Sequence, residues 1–304
     1  MLDAFSSPGH FWRGNLHGHS NVSDGEATPE EVCDRYQEEG YDFICLSDHF
    51  LGKFGFEIAD TKRYRSNGFS TIIGAEVHAP ATSQGADWHI LAVGLPEDFA
   101  ATQPDETGAA LARRAAAAGA FIAIAHPHLS GLSTDDILSI DAAHAIEVYN
   151  NTAAIRYGRG FGEAAWDIAL QAGRRLGGIA VDDSHFRTGS ENGAMDGFGG
   201  WVMVKAPDPS PEALLNALKA GHYYASLGPI IENVTRDEGT ITVRCSPAGQ
   251  IILLGNAGVA RHLDGRAITK ATLPIAPFEG GWCRVVVRDR EGRQAWTNPL
   301  WLDG

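Results

Sequence analysis

Cysteine is scarce in this chain: four in 304 residues (Cys33, Cys45, Cys245, Cys283), with no CxxC pair and no zinc-ribbon spacing. Scattered cysteines with apolar flanks read as reduced core residues, which excludes a disulfide framework or a thiolate metal site. Positive charge is scarce too, since 24 Lys and Arg against 38 Asp and Glu leave a formal charge of −14. A nucleic-acid phosphate backbone needs basic patches, so nucleic acid is not expected as a partner. No apolar run approaches the length of a membrane span. The start, MLDAFSSPGHFWRG, has neither a basic n-region nor an apolar h-region, so neither a signal peptide nor a membrane partner is expected, and the cytoplasm is the expected location. GxSxG and P-loop signatures are missing as well, and GRGFG at 158–162 lacks the strand-to-helix setting of a dinucleotide fingerprint.

What is present is ordinary for a soluble, well-cored protein: 44% hydrophobic and 20% charged residues. Up to about residue 228, short apolar runs alternate with helical stretches. The runs are FWRGNLHGH, YDFICLSDH, STIIGAEVH, WHILAVGL, FIAIAHPH, AIEVYN, GGIAVDDSH and GGWVMVKA. Thr28-Pro29-Glu30-Glu31 is a capping box with Pro at the first helical position, and Gly40 closes that helix. DETGAALARRAAAAG and SPEALLNALKAG repeat the shape. Strands alternating with helices point to βα units in a parallel sheet or barrel. Beyond residue 228 the chain turns β-branched and turn-rich, as expected of a small antiparallel β subdomain (229–304) following the larger unit (1–228).

Chargeable residues gather at one end of run after run: His17 and His19, Asp48 and His49, Glu76 and His78, His126 and His128, Asp183 and His185. In barrels of βα units, active sites are assembled at that end, and core packing alone does not select one end so consistently. Six histidines (His17, His19, His49, His89, His126, His185) and three carboxylates (Asp24, Glu76, Asp183) form the candidate set, with His89 set apart because it begins its run. Mixed imidazole and carboxylate donors suit Zn, Mn, Fe or Co better than Ca or Mg.

Taken in order, HxH, SDG, SDH, GAE, HIL, HP and DSH over roughly residues 12–228 resemble the PHP (polymerase and histidinol phosphatase) superfamily. GHYYASLGP and the tail AWTNPLWL are similar to its CehA/McbA-type metallohydrolases. The resemblance implies an α/β fold, a distorted (β/α)7 TIM-like barrel carrying two or three divalent ions (Mn, Zn or Fe). It places His17, His19 and Asp183 on one ion and makes Glu76 the bridge to a second held by His89 and His126. Asp24, His49 and His185 would hold a third. Ions sharing a water lower its pKa toward neutrality and supply a hydroxide nucleophile. The implied activity is a phosphoesterase acting on a small phosphorylated molecule. A carbamate or ester hydrolase using the same site is the alternative, and a non-catalytic metal-binding module a more distant one.

Around this set, His128 and His78 are candidates for proton donation or substrate contact, and Asp182 and Asp48, beside ligands, for orienting imidazoles. Glu147 and Asn150 end a strand on the same rim. Lys53, Arg63, Arg65, Arg156, Arg159 and Arg187 lie in loops after strands, where one or two would clamp a phosphate.

Overall fold

The computed structural model describes residues 3–187 and 195–302. The strands are β1 (His10–Asn15), β2 (Phe43–Leu46), β3 (His49–Phe50), β4 (Ser70–Ala79), β5 (Trp88–Val93), β6 (Phe121–Ile124), β7 (Ala145–Asn150), β8 (Gly177–Val181), β9 (Trp201–Ala206) and β10 (Tyr223–Ser226). They continue as β11 (Ile231–Asp237), β12 (Thr240–Gly255), β13 (Ala260–Pro274), β14 (Trp282–Arg288), β15 (Gln294–Thr297) and β16 (Leu300–Trp301). The helices are α1 (Asp3–Ser6), α2 (Pro29–Glu38), α3 (Gly108–Ala117), α4 (Thr134–Ser139), α5 (Asn151–Tyr157), α6 (Glu163–Gln171) and α7 (Pro211–Lys219).

The three helices expected from their caps are present. Thr28 Oγ1 accepts from Glu31 N at 3.2 Å and the Glu31 carboxylate accepts from Thr28 N at 2.8 Å, so α2 starts where the sequence says. Gly40, at φ +74°, takes the left-handed turn just past its end. Thr107 and Ser210 cap α3 and α7 with the side-chain oxygen alone, accepting from Ala110 N and Ala213 N.

The strands form one large mixed sheet, in the order β11-β12-β14-β15-β10-β9-β1-β2-β4-β5-β6-β7-β8. This differs from the parallel arrangement expected. β1–β2–β4 and β6–β7–β8 run parallel, but β5 lies antiparallel to both β4 and β6. The run from β1 to β8 meets itself at one end. Asp183 N donates to His17 O at 2.9 Å and His19 N to Ser184 O at 2.7 Å, around a parallel bridge between Gly18 and Ser184.

Side-chain alternation explains the apolar runs. Phe43, Cys45, Phe121, Ala123 and Ile179 pack into one core with Leu214 and Leu218 of α7. Ile122, Ile124, Ile146 and Val148 face the other way, onto Leu111 and Ala115 of α3 and Trp166 and Leu170 of α6. A strand covered on both faces reads as continuous hydrophobicity.

The C-terminal strands β11 to β15 pair antiparallel throughout, as their turn-rich sequence implies. They are not a detached sheet, because β15 pairs with β10, and β10 with β9. All four cysteines are free and buried. No described helix is long and apolar enough to cross a membrane.

Candidate metal centre

Every residue of the nine-member set reaches one end of the sheet. β1 stops at Asn15, so His17 and His19 sit just beyond it, in the segment bridged to Ser184. His49 opens β3, Glu76 lies within β4, and His126, Asp183 and His185 follow β6 and β8. His89 is at the start of its strand, and the reversal of β5 brings that start to the shared end: His89 pairs in register with His78.

Donor atoms converge in three places. Asp183 Oδ1 lies 2.9 Å from His19 Nε2 and 3.3 Å from His17 Nε2. Glu76 Oε1 lies 2.8 Å from His89 Nδ1, 3.2 Å from His126 Nε2 and 3.6 Å from His17 Nε2, so it joins the first group to the second. Asp24 Oδ1 lies 3.2 Å from His185 Nε2 and 3.4 Å from His49 Nε2, with His19 close enough to share that group. Ligands held at 2.0–2.2 Å from one ion stand about 3.0–3.5 Å apart at octahedral or tetrahedral angles, and these separations centre on that range.

Hydrogen bonds fix which ring nitrogens face inward. His185 Nδ1 donates to the Asp183 carbonyl at 2.8 Å, which leaves the Nε2 lone pair toward Asp24. His17 Nδ1 donates to Glu147 Oε1 at 2.7 Å, leaving Nε2 toward Asp183 and Glu76. His126 Nδ1 is engaged by Ser130 Oγ at 2.9 Å. His17 Nε2, His19 Nδ1, Asp24 Oδ1 and Glu76 Oε2 are buried without a hydrogen-bond partner. Buried lone pairs facing lone pairs are costly unless a cation lies between them, so the residues present fit divalent ions.

The field has the same sign. Burial opposes ionisation of Glu76, Asp24 and Asp183, yet the surrounding imidazoles hold all three carboxyls below their ordinary range. Burial likewise opposes charge on His17, His49, His126 and His185, but the carboxylates outweigh it and raise them. His19, with His185 and His49 beside it, is driven down to about 4 by burial.

The remaining candidates separate. His78 is buried and joins a group with His49, Glu76 and His89, its Nε2 2.9 Å from His49 Nδ1. It is therefore placed among the donors rather than at the pocket mouth. His128 is exposed and lines a neighbouring apolar groove with Pro127, Leu132 and Phe161, away from the donors. Asp182 faces away from them, accepting from the backbone N–H groups of Phe198, Gly199 and Gly200 and from Tyr36 OH. Burial raises its carboxyl to about 6. Asp48 accepts from Ser20 and Ser23. Of the six loop cations, Arg156 and Arg187 line the pocket above the donors, which measures about 500 Å³. Arg187 reaches Asp24 Oδ2 at 2.7 Å and Arg156 reaches Asp196 at 2.9 Å.

Two of the six described non-glycine residues with positive φ are His126 (+24°) and Asp183 (+55°). His126 precedes Pro127, a position that favours extended backbone, and strain of this kind gathers at functional sites.

Residues 15–153 match the PHP domain. That segment, just under half of the chain, is what is similar to a PHP domain. The matched segment supplies every candidate donor except Asp183 and His185, which the fold brings in from beyond it. The chain is similar over 97% of its length, and 98% of the other's, to a two-domain protein from Bacteroides vulgatus ATCC 8482 described as containing a predicted PHP-like metal-dependent phosphoesterase, at 19% identity and a TM-score of 0.54. It also matches a metal-dependent phosphoesterase, so described, from Bifidobacterium adolescentis (15% identity, 57% of this chain, 87% of that one). An amidohydrolase from Chromobacterium violaceum with bound sulfate and no metal matches at 17% identity over the same shares. The TM-scores of these two, 0.41, fall short of a shared overall fold. No curated protein matches the chain.

Proposed function

We propose that this protein is a metal-dependent phosphoesterase acting on a small phosphorylated molecule. The observation that carries the metal part is that His17, His19, Asp24 and Glu76 each bury a donor atom without a hydrogen-bond partner and belong to clusters whose donor atoms lie within 4.8 Å of one another. His17, His19 and Asp183 would hold one ion, Glu76, His89 and His126 a second, and Asp24, His49 and His185 a third, with Mn, Zn or Fe as the metals. When bound, such ions supply Lewis-acid charge and lower the pKa of coordinated water.

The chain's own residues supply the rest. Arg156 and Arg187 stand on the pocket wall as forked cations able to take the non-bridging oxygens of a phosphate. Glu76 and Asp183, both buried, keep their carboxylates on the donor side, and Leu129 and Tyr157 line the same pocket. The seven strands β1, β2 and β4 to β8, closed at Gly18 and Ser184, support reading residues 1–228 as a distorted (β/α)7 barrel, with 229–304 as its β-rich appendage. Four buried free thiols suit a reducing, cytoplasmic setting.

A carbamate or ester hydrolase is the second reading, favoured by the groove of about 510 Å³ lined by Pro127, Leu132, Phe161 and Ile168 beside the metal pocket. The test is turnover by the Mn- or Zn-loaded protein of phosphomonoesters, phosphodiesters, aryl esters and carbamates, with His17→Ala as control. Metal-dependent phosphate release supports the first reading, and turnover of carbonyl substrates alone replaces it with the second. Arg156→Met and Arg187→Met are each expected to raise KM for a phosphomonoester about tenfold or more, Arg156→Met with metal content unchanged. A KM that does not move removes both arginines from substrate recognition.

A further inference from the structure

Glu147 lies near the end of β7, 1% exposed, with no carboxylate oxygen left over. Its Oε1 accepts from His17 Nδ1 at 2.7 Å. Its Oε2 accepts from the backbone N–H of His126 at 2.6 Å and from Asn150 Nδ2 at 2.9 Å. Asn150 Nδ2 also reaches Asp183 Oδ2 at 3.2 Å. The orientation of the Asn150 amide is fixed from its other side, because its Oδ1 caps α5 by accepting from Ala153 N. One carboxylate thus touches candidate ligands that follow β1 and β6, and through Asn150 one that follows β8.

The backbone is shaped for this. Strand alternation would send Glu147 and Asn150, three residues apart, to opposite faces. The β7–β8 ladder shifts register between Glu147 and Tyr149, and such an irregularity lets both side chains turn to the same site. At His126, φ +24° before a proline is a conformation the residue would not hold unaided. The hydrogen bond to its N–H is one of the contacts that hold it.

We propose that Glu147 is the positioning residue of the metal centre: it fixes His17 as an Nε2 donor and locks the backbone from which His126 projects. The proposal rests on the metal reading above. It needs a carboxylate in particular. Three N–H groups point at Glu147, and two acceptor oxygens meet them. Glutamine offers one acceptor, so its amide must turn a donor toward either His17 or the His126 N–H. If it faces His17, Nδ1 becomes an acceptor and the proton moves to Nε2, the atom needed for the ion.

The test uses the full chain, stripped by chelation and titrated with Zn²⁺ against a competing chelator, for wild type, Glu147→Gln, Glu147→Asp and His17→Ala. Glu147→Gln is expected to fold but to lose about 10–100-fold in affinity at one ion. Glu147→Asp, which restores the charge, should recover part of it. Unchanged stoichiometry and affinity in Glu147→Gln overturns the proposal. So does an affinity loss in Glu147→Gln that Glu147→Asp recovers in no part. Wild type binding less than one ion per chain sinks the metal reading instead. The Glu147 assignment is then decided by ¹⁵N-resolved imidazole spectra of the stripped protein. A downfield, exchange-protected His17 Nδ1 proton that disappears in Glu147→Gln supports the pairing, and its absence from wild type ends it. If Glu147→Gln fails to fold, the same signal in spectra of wild type and Glu147→Asp decides between the two outcomes.

Discussion

Asp182 and Asp183 are neighbours in sequence with different surroundings. Asp183 contacts His17, His19 and Asn150, while Asp182 gathers the backbone of 198–200 and the hydroxyl of Tyr36. Asp182→Ala therefore leaves four donors, two of them fully buried, without their acceptor. It is expected to cost about 3 kcal/mol or more, measured by denaturant unfolding of the chelated protein. A loss below about 1 kcal/mol would show that water replaces the carboxylate. His144 gives a pH signature remote from the centre. Its Nδ1 accepts from Ile122 N at 3.0 Å, and burial, aided by Lys219, lowers its pKa. The folded value lies below the unfolded one of about 6.5, so the unfolded chain takes up the proton first as pH falls. Stability from this site is complete above about pH 6.5 and is lost below it, toward the depressed folded value. His144→Gln is expected to flatten that limb of the pH–stability curve, and an unchanged slope would assign it to other groups.

At the scale of elements, the strand ends matter more than the helices. The reversal of β5 turns His89 from an outlier into a neighbour of His78, and the irregularity in β7 delivers Glu147 and Asn150 together. Gly162, at the start of α6, is packed against this region. A Cβ there would lie 2.2 Å from the Glu147 carbonyl and 3.0 Å from Pro127 Cγ. Gly162→Ala is thus expected to cost about 1–3 kcal/mol by overpacking. Because it presses on β7 and on the residue after His126, it should also weaken Zn²⁺ binding. A variant that loses stability but binds Zn²⁺ as wild type does would show that the strand end is decoupled from the core beneath it.

For the whole molecule, ions that bind the folded chain and not the unfolded one add stability, about 2.7 kcal/mol for an ion at one hundred times its Kd. Chelation should lower Tm by several degrees, and Mn²⁺ or Zn²⁺ should restore it. A Tm indifferent to both would count against the centre. The C-terminal strands are fastened to the rest by more than β15–β10 pairing. Arg284 of β14 is fully buried, stacks on Trp166 and pairs with Asp167 of α6. Removing Asp167 leaves that guanidinium buried without its charge partner, and Asp167→Ala is expected to cost about 3 kcal/mol or more in denaturant unfolding. A loss under about 1 kcal/mol would mean that stacking alone carries the contact.

The sequence by itself determined which residues are candidate donors and the alternation of apolar runs with capped helices. Both are local: a chargeable residue at the end of a run such as YDFICLSDH, or Thr28 three residues before Glu31, has its meaning within a few residues. The buried and reduced state of the four cysteines was legible for the same reason. Only the tertiary structure decided the direction of β5, the meeting of His17 with Asp183 across 166 residues, the turning of Asp182 and His128 away from the donors, and the part played by Glu147. Strand direction, ring tautomer and the facing of lone pairs depend on which segments become neighbours, and spacing along the chain does not carry that information.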